Sequence, residues 1–388
     1  MHDSGIKRTT PSAETRRVLA DIVPSPTETA TLPLARATGR VLAHDSYAKE
    51  PVPPERRATT TGVAVHASAT YDATERTPVR LRETAGPPAT DEATRVSPGE
   101  PLPESATAVV PSDAVERTEG SVAVTTAVAE GAHVATVGSD IDAGELLYPT
   151  GTRLTPAALG ALATAGHGRV SCFAEPTVGI VPVGRPERVT APGRTLAGLV
   201  RRWGGQPEAR DPVAPEPRAV RPALQRDLTR DVVVTVGGTE AAGEPVVTSV
   251  LDDLGDRRVR GVAISPGRVT TIGVVEGTPV LSVPGTVVGS LVAATQVVRP
   301  ALERAGGGSL PPIPATKTEL DGKLPSTPGE RTFARVRLSE DEQTATPIAT
   351  GAPTQWSTVT AADGWVAVPE ASEGIDSGET VTVERWSV

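Results

Sequence analysis

This 388-residue chain contains one cysteine, Cys172, so no disulfide can form within it and no thiolate cage for zinc can be built. Cys172 reads instead as a small buried hydrophobe. Aromatic residues make up only 2% of the chain, so its cores must be assembled from Val, Leu, Ile and Ala. Lysine is nearly absent: Lys7, Lys49, Lys317 and Lys323 are the whole complement, and arginine carries the other positive charges. With a formal charge of −9 the chain is a poor partner for nucleic acid, which is bound by neutralising phosphates with cationic side chains. No apolar run approaches the about 20 residues of a membrane-spanning helix. The start, Met1-His2-Asp3-Ser4-Gly5, is polar and has no apolar signal segment. A cytoplasmic protein without membrane contact is therefore expected.

The length allows two to four domains with real cores. Thr10 is expected to cap a first helix with Pro11 at its first position, followed by Val18, Leu19 and Ile22. The segment Leu34 to Ala43 reads as helical at first and turned at Gly39. Short Val-rich runs at 62–65, 79–81, 108–110 and 122–124 read as strands. Gly138 to Gly151 is an acidic, turn-rich loop, and Thr155-Pro156 opens a helix carrying Leu159 and Leu162. From Pro176 strands alternate with helices. Val178–Val183 and Asp231–Val236 read as strands, and helices carry Leu196 to Trp203, Val220 to Leu228 and Val247 to Leu254. Residues 206–217 read as a Pro-rich loop. A last helix runs from about Thr286 to Arg304, strained by Pro300. Gly306 to Pro314 is a linker, and beyond it strands at 334–338, 366–368 and 381–383, with no strong helix, read as a small β-barrel or sandwich.

The expected fold class is thus α/β plus β, in several domains. A helical and β-rich N-terminal region covers 1–175, a three-layer α/β domain 176–306, and a C-terminal β domain 307–388. Three Gly-bearing turns follow apolar runs: Val236-Gly237-Gly238, Ser265-Pro266-Gly267-Arg268 and Val283-Pro284-Gly285. Ligands in open α/β sheets sit outside the carboxyl ends of strands, and glycine lets a ligand approach the backbone closely. These turns are expected to build a pocket of backbone N–H groups.

The order of these pieces resembles the molybdopterin molybdotransferase family, of the MoeA and gephyrin E-domain type. The residues that carry the resemblance are Leu34 to Ala43, Val52-Pro53-Pro54, Gly138-Ser139-Asp140-Ile141, Gly151 to Leu154, Val236-Gly237-Gly238, Pro266-Gly267-Arg268, Val283-Pro284-Gly285, Val298 to Leu302 and Ala361 to Gly364. The resemblance implies an elongated homodimer that binds adenylylated molybdopterin in its α/β domain. It implies release of AMP with insertion of molybdate, or tungstate, and Mg²⁺ held by acidic residues. It also implies that the N-terminal region of one subunit closes over the pocket of the other.

Mapped onto this chain, the resemblance makes Asp140 a catalytic residue and metal ligand. It leaves Glu187 and Glu244 as catalytic carboxylates beside lost family positions. The ligand would be held by Gly237, Gly238, Ser265, Pro266, Gly267, Arg268, Pro284 and Gly285, with Arg268 replacing a lysine as phosphate clamp. Other family side chains have changed. An Asp-rich stretch is here Arg56-Arg57-Ala58-Thr59-Thr60-Thr61, the turn after the first α/β strand is Gly184-Arg185-Pro186-Glu187, and the Gly-Gly loop continues Thr239-Glu240-Ala241. Two functional readings follow: a transferase with altered ligands, or a catalytically impaired paralogue. The paralogue would bind molybdopterin or its cofactor as carrier, regulator or dimer partner, with Arg56, Arg57, Arg185 and Arg268 adding cationic grip. An unrelated α/β binding protein is a third. Asp140 has a plainer reading as a loop carboxylate held by nearby N–H groups, and the arginines as ordinary surface charge.

Overall fold

The computed structural model describes residues 9–239 and 245–386. Its first helix, α1 (Ser12–Ile22), begins one residue later than expected. Pro11 stands at the N-cap position and no side chain of the helix's own segment caps it. Thr10 is diverted, because its N–H donates to the Gly261 carbonyl and its own carbonyl accepts from Ala263. The cap comes from far along the chain: Glu370 accepts from the Ser12 N–H at 3.2 Å and from its hydroxyl at 2.8 Å. A carboxylate there also faces the positive end of the helix.

The short Val-rich runs form one six-stranded sheet from β1 (Gly62–Val65), β2 (Val79–Thr84), β3 (Glu92–Val96), β4 (Ala108–Pro111), β5 (Val115–Thr118) and β6 (Ser121–Val124). Its spatial order is β4-β1-β3-β2-β6-β5. Every expected run in this region is a strand. A separate small core holds Leu42, Leu154, Leu162, Val170 and Cys172 around α2 (Pro156–Thr164). Thr155 caps α2 by accepting from the Ala158 N–H at 3.2 Å. Cys172 is fully buried, and burial pushes its thiol above the ordinary range. Alkylation of native protein at pH 8 should therefore be far slower than in denaturant, by mass spectrometry. Equal rates would place Cys172 on an open surface.

The α/β part is built from β7 (Thr177–Val183), α3 (Pro186–Arg202), β8 (Gln206–Ala209), α4 (Pro217–Asp227), β9 (Val232–Gly237), α5 (Val246–Leu254), β10 (Asp256–Val259), β11 (Thr271–Val275) and β12 (Thr278–Val283). The sheet order is β8-β7-β9-β12-β11-β10, parallel from β8 to β12 and antiparallel beyond. Strands β9 and β12 are buried along their whole length, as parallel strands covered on both faces must be. Strand β8 corrects the expectation of a loop at 206–217. Gln206 to Ala209 pair with Thr177 to Ile180, and Pro207 is tolerated because the strand lies at the sheet edge.

The closing helix is continuous from α6 (Val287–Ala293) through a π-helical turn, Ala294–Val298, into α7 (Arg299–Ala305). Pro300 offers no N–H to the turn before it, and a π register just ahead of it absorbs the mismatch. Beyond the glycine linker, β13 (Ala315–Leu320), β14 (Arg331–Leu338), β15 (Thr344–Ala349), β16 (Gly364–Val368) and β17 (Thr380–Glu384) form a barrel. It closes because β14 pairs with both β15 and β16, which leaves no free edge among the five. One five-residue helix, α8 (Trp356–Thr360), interrupts it. The scarce aromatics are concentrated here. Trp365 stacks on Trp386 with centroids 4.5 Å apart and meets Phe333 edge-on at 5.2 Å, in a core shared with α1, α7 and the parallel sheet.

Candidate functional site

The three parallel strands β7, β9 and β12 end side by side, and the turns that follow them pack glycine against glycine. Gly237 and Gly238 have φ of +90° and +70°, a region that side chains with a Cβ rarely enter. A Cβ on Gly237 would lie 2.5 Å from the Val183 carbonyl oxygen, and one on Gly285 would lie 3.1 Å from the Gly237 Cα. The floor they form carries no side chains, which leaves its backbone open to a ligand.

Above it lies a cleft of about 750 Å³, lined by Gly184, Glu187, Gly237, Gly238, Gly285 and Thr286. Arg185 and Arg188, at the start of α3, add two guanidiniums; both are exposed and have no partner among the described residues. The far wall is the loop that leads into α8, with Thr354 and Trp356. Trp356, the first residue of α8, is 41% exposed and lines the cleft. The arrangement suits an anionic group at the strand ends and a planar ring beside the indole.

Of the residues named from sequence, Glu187, Gly237, Gly238 and Gly285 meet in this cleft, with Pro284 buried behind it. Ser265, Pro266 and Gly267 do not join them. Ile264–Ser265 leaves the α/β sheet and pairs in parallel with Arg331–Thr332 of the barrel, which carries its turn away from the other two. Arg268 pairs with Glu330 at 3.1 Å and lines a second cleft beside α5. Asp140 lies in an exposed turn of the N-terminal region. Its N–H donates to the Val52 carbonyl, its carboxylate has no partner among the described residues, and it does not line the cleft of its own chain. Glu244 lies outside the described residues. Arg56 is tied to the carbonyls of Glu104 and Ala106, and Arg57 to Glu55 and the Gly99 carbonyl, so both brace their own region.

The residue matches are extensive. The MoeA N-terminal region (domains I and II) matches 10–166, a probable molybdopterin binding domain 184–304, and the MoeA C-terminal region (domain IV) 317–386. Molybdopterin molybdenumtransferase 2 of Mycobacterium tuberculosis is 30% identical over 404 aligned positions, covering 95% of this chain and 98% of that protein. The chain belongs to the MoeA family. The molybdopterin molybdenumtransferase of Bacillus subtilis is 25% identical, covering 92% of this chain and 89% of its own. Two crystal structures of a molybdopterin biosynthesis MoeA protein from Pyrococcus horikoshii superpose with TM-scores of 0.82 and 0.78, at 25% and 30% identity and over 97% and 98% of this chain.

Two features of this MoeA fold have no signature in the sequence. Trp356 is a lone tryptophan after a Pro-Thr-Gln loop and carries no pattern of its own. Arg335, in the strand run Ala334 to Leu338, is fully buried and has no ion-pair partner among the described residues. Its Nε donates to the Thr358 hydroxyl at 3.1 Å, it also donates to the Gly351 carbonyl, and its Nη1 has no partner. Burial lowers its pKa from the ordinary value. It holds the loop that carries Trp356 from below.

Proposed function

We propose that this chain acts in molybdenum cofactor biosynthesis, taking adenylylated molybdopterin into the glycine-floored cleft and inserting molybdate with release of AMP. The observation that carries this reading is the meeting of a side-chain-free floor, two arginines unpaired among the described residues and an exposed indole in one cleft of a MoeA fold. The floor's backbone N–H groups and the start of α3 would hold phosphate, with Arg185 and Arg188 offsetting its charge. Trp356 would support the planar ring. Tungstate fits the same chemistry as molybdate. The partition at 1–175, 176–306 and 307–388 and a cytoplasmic location belong to this reading. So does a homodimer, because Asp140 stands away from its own chain's cleft and reaches a site only through a second copy.

Mg²⁺ fits poorly. Among the described residues no group of three or more His, Cys, Asp or Glu is placed to hold a metal, and Glu187 is the one carboxylate among the described residues of the cleft. That scarcity favours, as the second reading, a carrier that binds the pterin without turnover. The deciding measurement gives the purified protein adenylylated molybdopterin and molybdate and follows AMP. Molybdate-dependent release supports the transferase. Binding without release supports the carrier, and neither binding nor release removes the proposal.

A further inference from the structure

The glycine-floored cleft suits an anion, yet one of its side chains has the opposite preference. Glu187 is the second residue of α3 and the one carboxylate among the described residues that line the cleft. It stands between Arg185 and Arg188 in the chain and is exposed. Among the described residues it makes no ion pair with either arginine and no hydrogen bond. The helix start does not need it. Arg185 is the N-cap residue, its carbonyl accepts from the Arg188 and Val189 N–H groups at 2.9 and 3.2 Å, and no side chain caps α3. Pro186 has no N–H to satisfy, and the Gly184 N–H donates to the Val213 carbonyl at 2.9 Å. What the fold itself gains from Glu187 is the weak attraction of a first-turn acid for the positive end of a helix, which a position facing away from the cleft would supply equally.

A carboxylate beside a phosphate site repels the ligand unless the ligand brings donors to it. Adenylylated molybdopterin has such a place. The 2-amino-4-oxopyrimidine edge of a pterin carries a ring N–H and an amino group side by side. These two parallel donors match the two oxygens of one carboxylate, as the fork of a guanidinium does. Adenine offers no such pair, since its amino donor is flanked by ring-nitrogen acceptors. The arginines and the backbone N–H groups of the floor can only donate. The hydroxyls of Thr286 and Thr354 have one oxygen each, so among the described lining residues Glu187 is the side chain with two acceptor oxygens. We infer that Glu187 is the specificity-determining residue for the pterin, an assignment that rests on the cleft being the site for adenylylated molybdopterin. Its carboxylate accepts from the pterin's ring N–H and 2-amino group, while Arg185, Arg188 and the glycine floor meet the phosphates.

The test is calorimetric titration of the full chain with adenylylated molybdopterin and, separately, with AMP, in wild type, Glu187→Ala and Glu187→Gln. Glu187→Ala removes the charge-assisted hydrogen bonds to the pterin, so it should bind adenylylated molybdopterin about tenfold or more weakly. AMP brings a phosphate and no pterin. Its affinity should stay at the wild-type value or rise, because a repelling charge is gone. Glu187→Gln keeps the length of the side chain but sets an amide N–H₂ against a pterin donor, so it should fall close to Glu187→Ala. Divergent responses of the two ligands are a signature that a general loss of structure does not give. Unchanged affinity for adenylylated molybdopterin in Glu187→Ala, or tighter binding of both ligands, overturns the assignment and leaves the proposed function standing. An equal loss for both ligands also overturns it and places Glu187 at the phosphates. Wild type that fails to bind adenylylated molybdopterin removes the proposed function, and this assignment with it.

Discussion

Arg210→Ala is expected to lower folding stability by about 3–5 kcal/mol, the usual consequence of removing one partner from a buried ion pair. Asp227, at the end of α4, is fully buried, and Arg210 donates to both of its carboxylate oxygens, from Nε at 3.1 and 3.2 Å and again from an Nη. Those hydrogen bonds raise the Arg210 pKa above its ordinary value. The carboxylate has little room to relax. It lies under Gly179 of β7, where an added Cβ would be 2.8 Å from the Asp227 Cβ, and its other cation, Arg226, is 3.8 Å away. Arg210 also pairs with Glu208, which in turn pairs with Arg230, so the edge strand β8 and the end of α4 are fastened by one network. Urea unfolding measures the loss. The double variant Arg210→Ala with Asp227→Leu should recover much of it, because the stranded charge is gone. A double variant as unstable as the single one would show that packing, not the unpaired carboxylate, sets the effect.

The paired change Arg185→Ala with Arg188→Ala should weaken binding of adenylylated molybdopterin about 100-fold or more, while the unfolding midpoint stays within the ordinary scatter of surface changes. Both arginines are exposed, sit at the start of α3 and have no partners to lose among the described residues. Their removal subtracts charge from the cleft without disturbing the core. The same measurement at rising salt gives a second reading. Wild-type affinity should fall as screening grows, and the variant's should fall much less. If the variant binds as tightly as wild type, phosphate charge is met elsewhere. Loss of binding only after chelation of divalent metal would return that role to Mg²⁺ despite the carboxylate-poor cleft.

The strand and helix order was legible because local patterns and tertiary environment agree along most of the chain. Val232 to Val236 is continuous β-branched sequence and becomes a strand buried on both faces. Thr155-Pro156 carries both halves of a helix start, and the Thr155 hydroxyl caps that helix. Where the two levels disagree, the long-range partner wins. Thr10 had the chemistry of a cap and was taken by Gly261 and Ala263, while a glutamate some 358 residues away caps α1. Gln206 to Ala209 has weak strand propensity and a proline, Pro207, within it, yet the open edge of a parallel sheet recruits it.

The candidate site divides along the same line. Glycines at strand ends are visible in sequence because φ above zero and close backbone contact admit little else, and Gly237, Gly238 and Gly285 meet as strand-end turns should. Which turns share a cleft is a matter of topology. The Pro266-Gly267 turn has the same local chemistry as the others, but its short strand pairs with the barrel, so Arg268 faces another cleft. By itself, then, the sequence determined the alternation of strands and helices, cores that are aliphatic except for the Phe333–Trp365–Trp386 cluster, and the positions where only glycine serves, since each follows from period, composition or backbone sterics. Tertiary structure alone decided that Arg335 is buried without a counter-ion among the described residues, that Trp356 lines the same cleft as the glycine floor, and that Arg257 and Arg260 gather beside Thr239 and Thr271. Those are juxtapositions of residues far apart in the chain or on different elements, and no local pattern records which surfaces will meet.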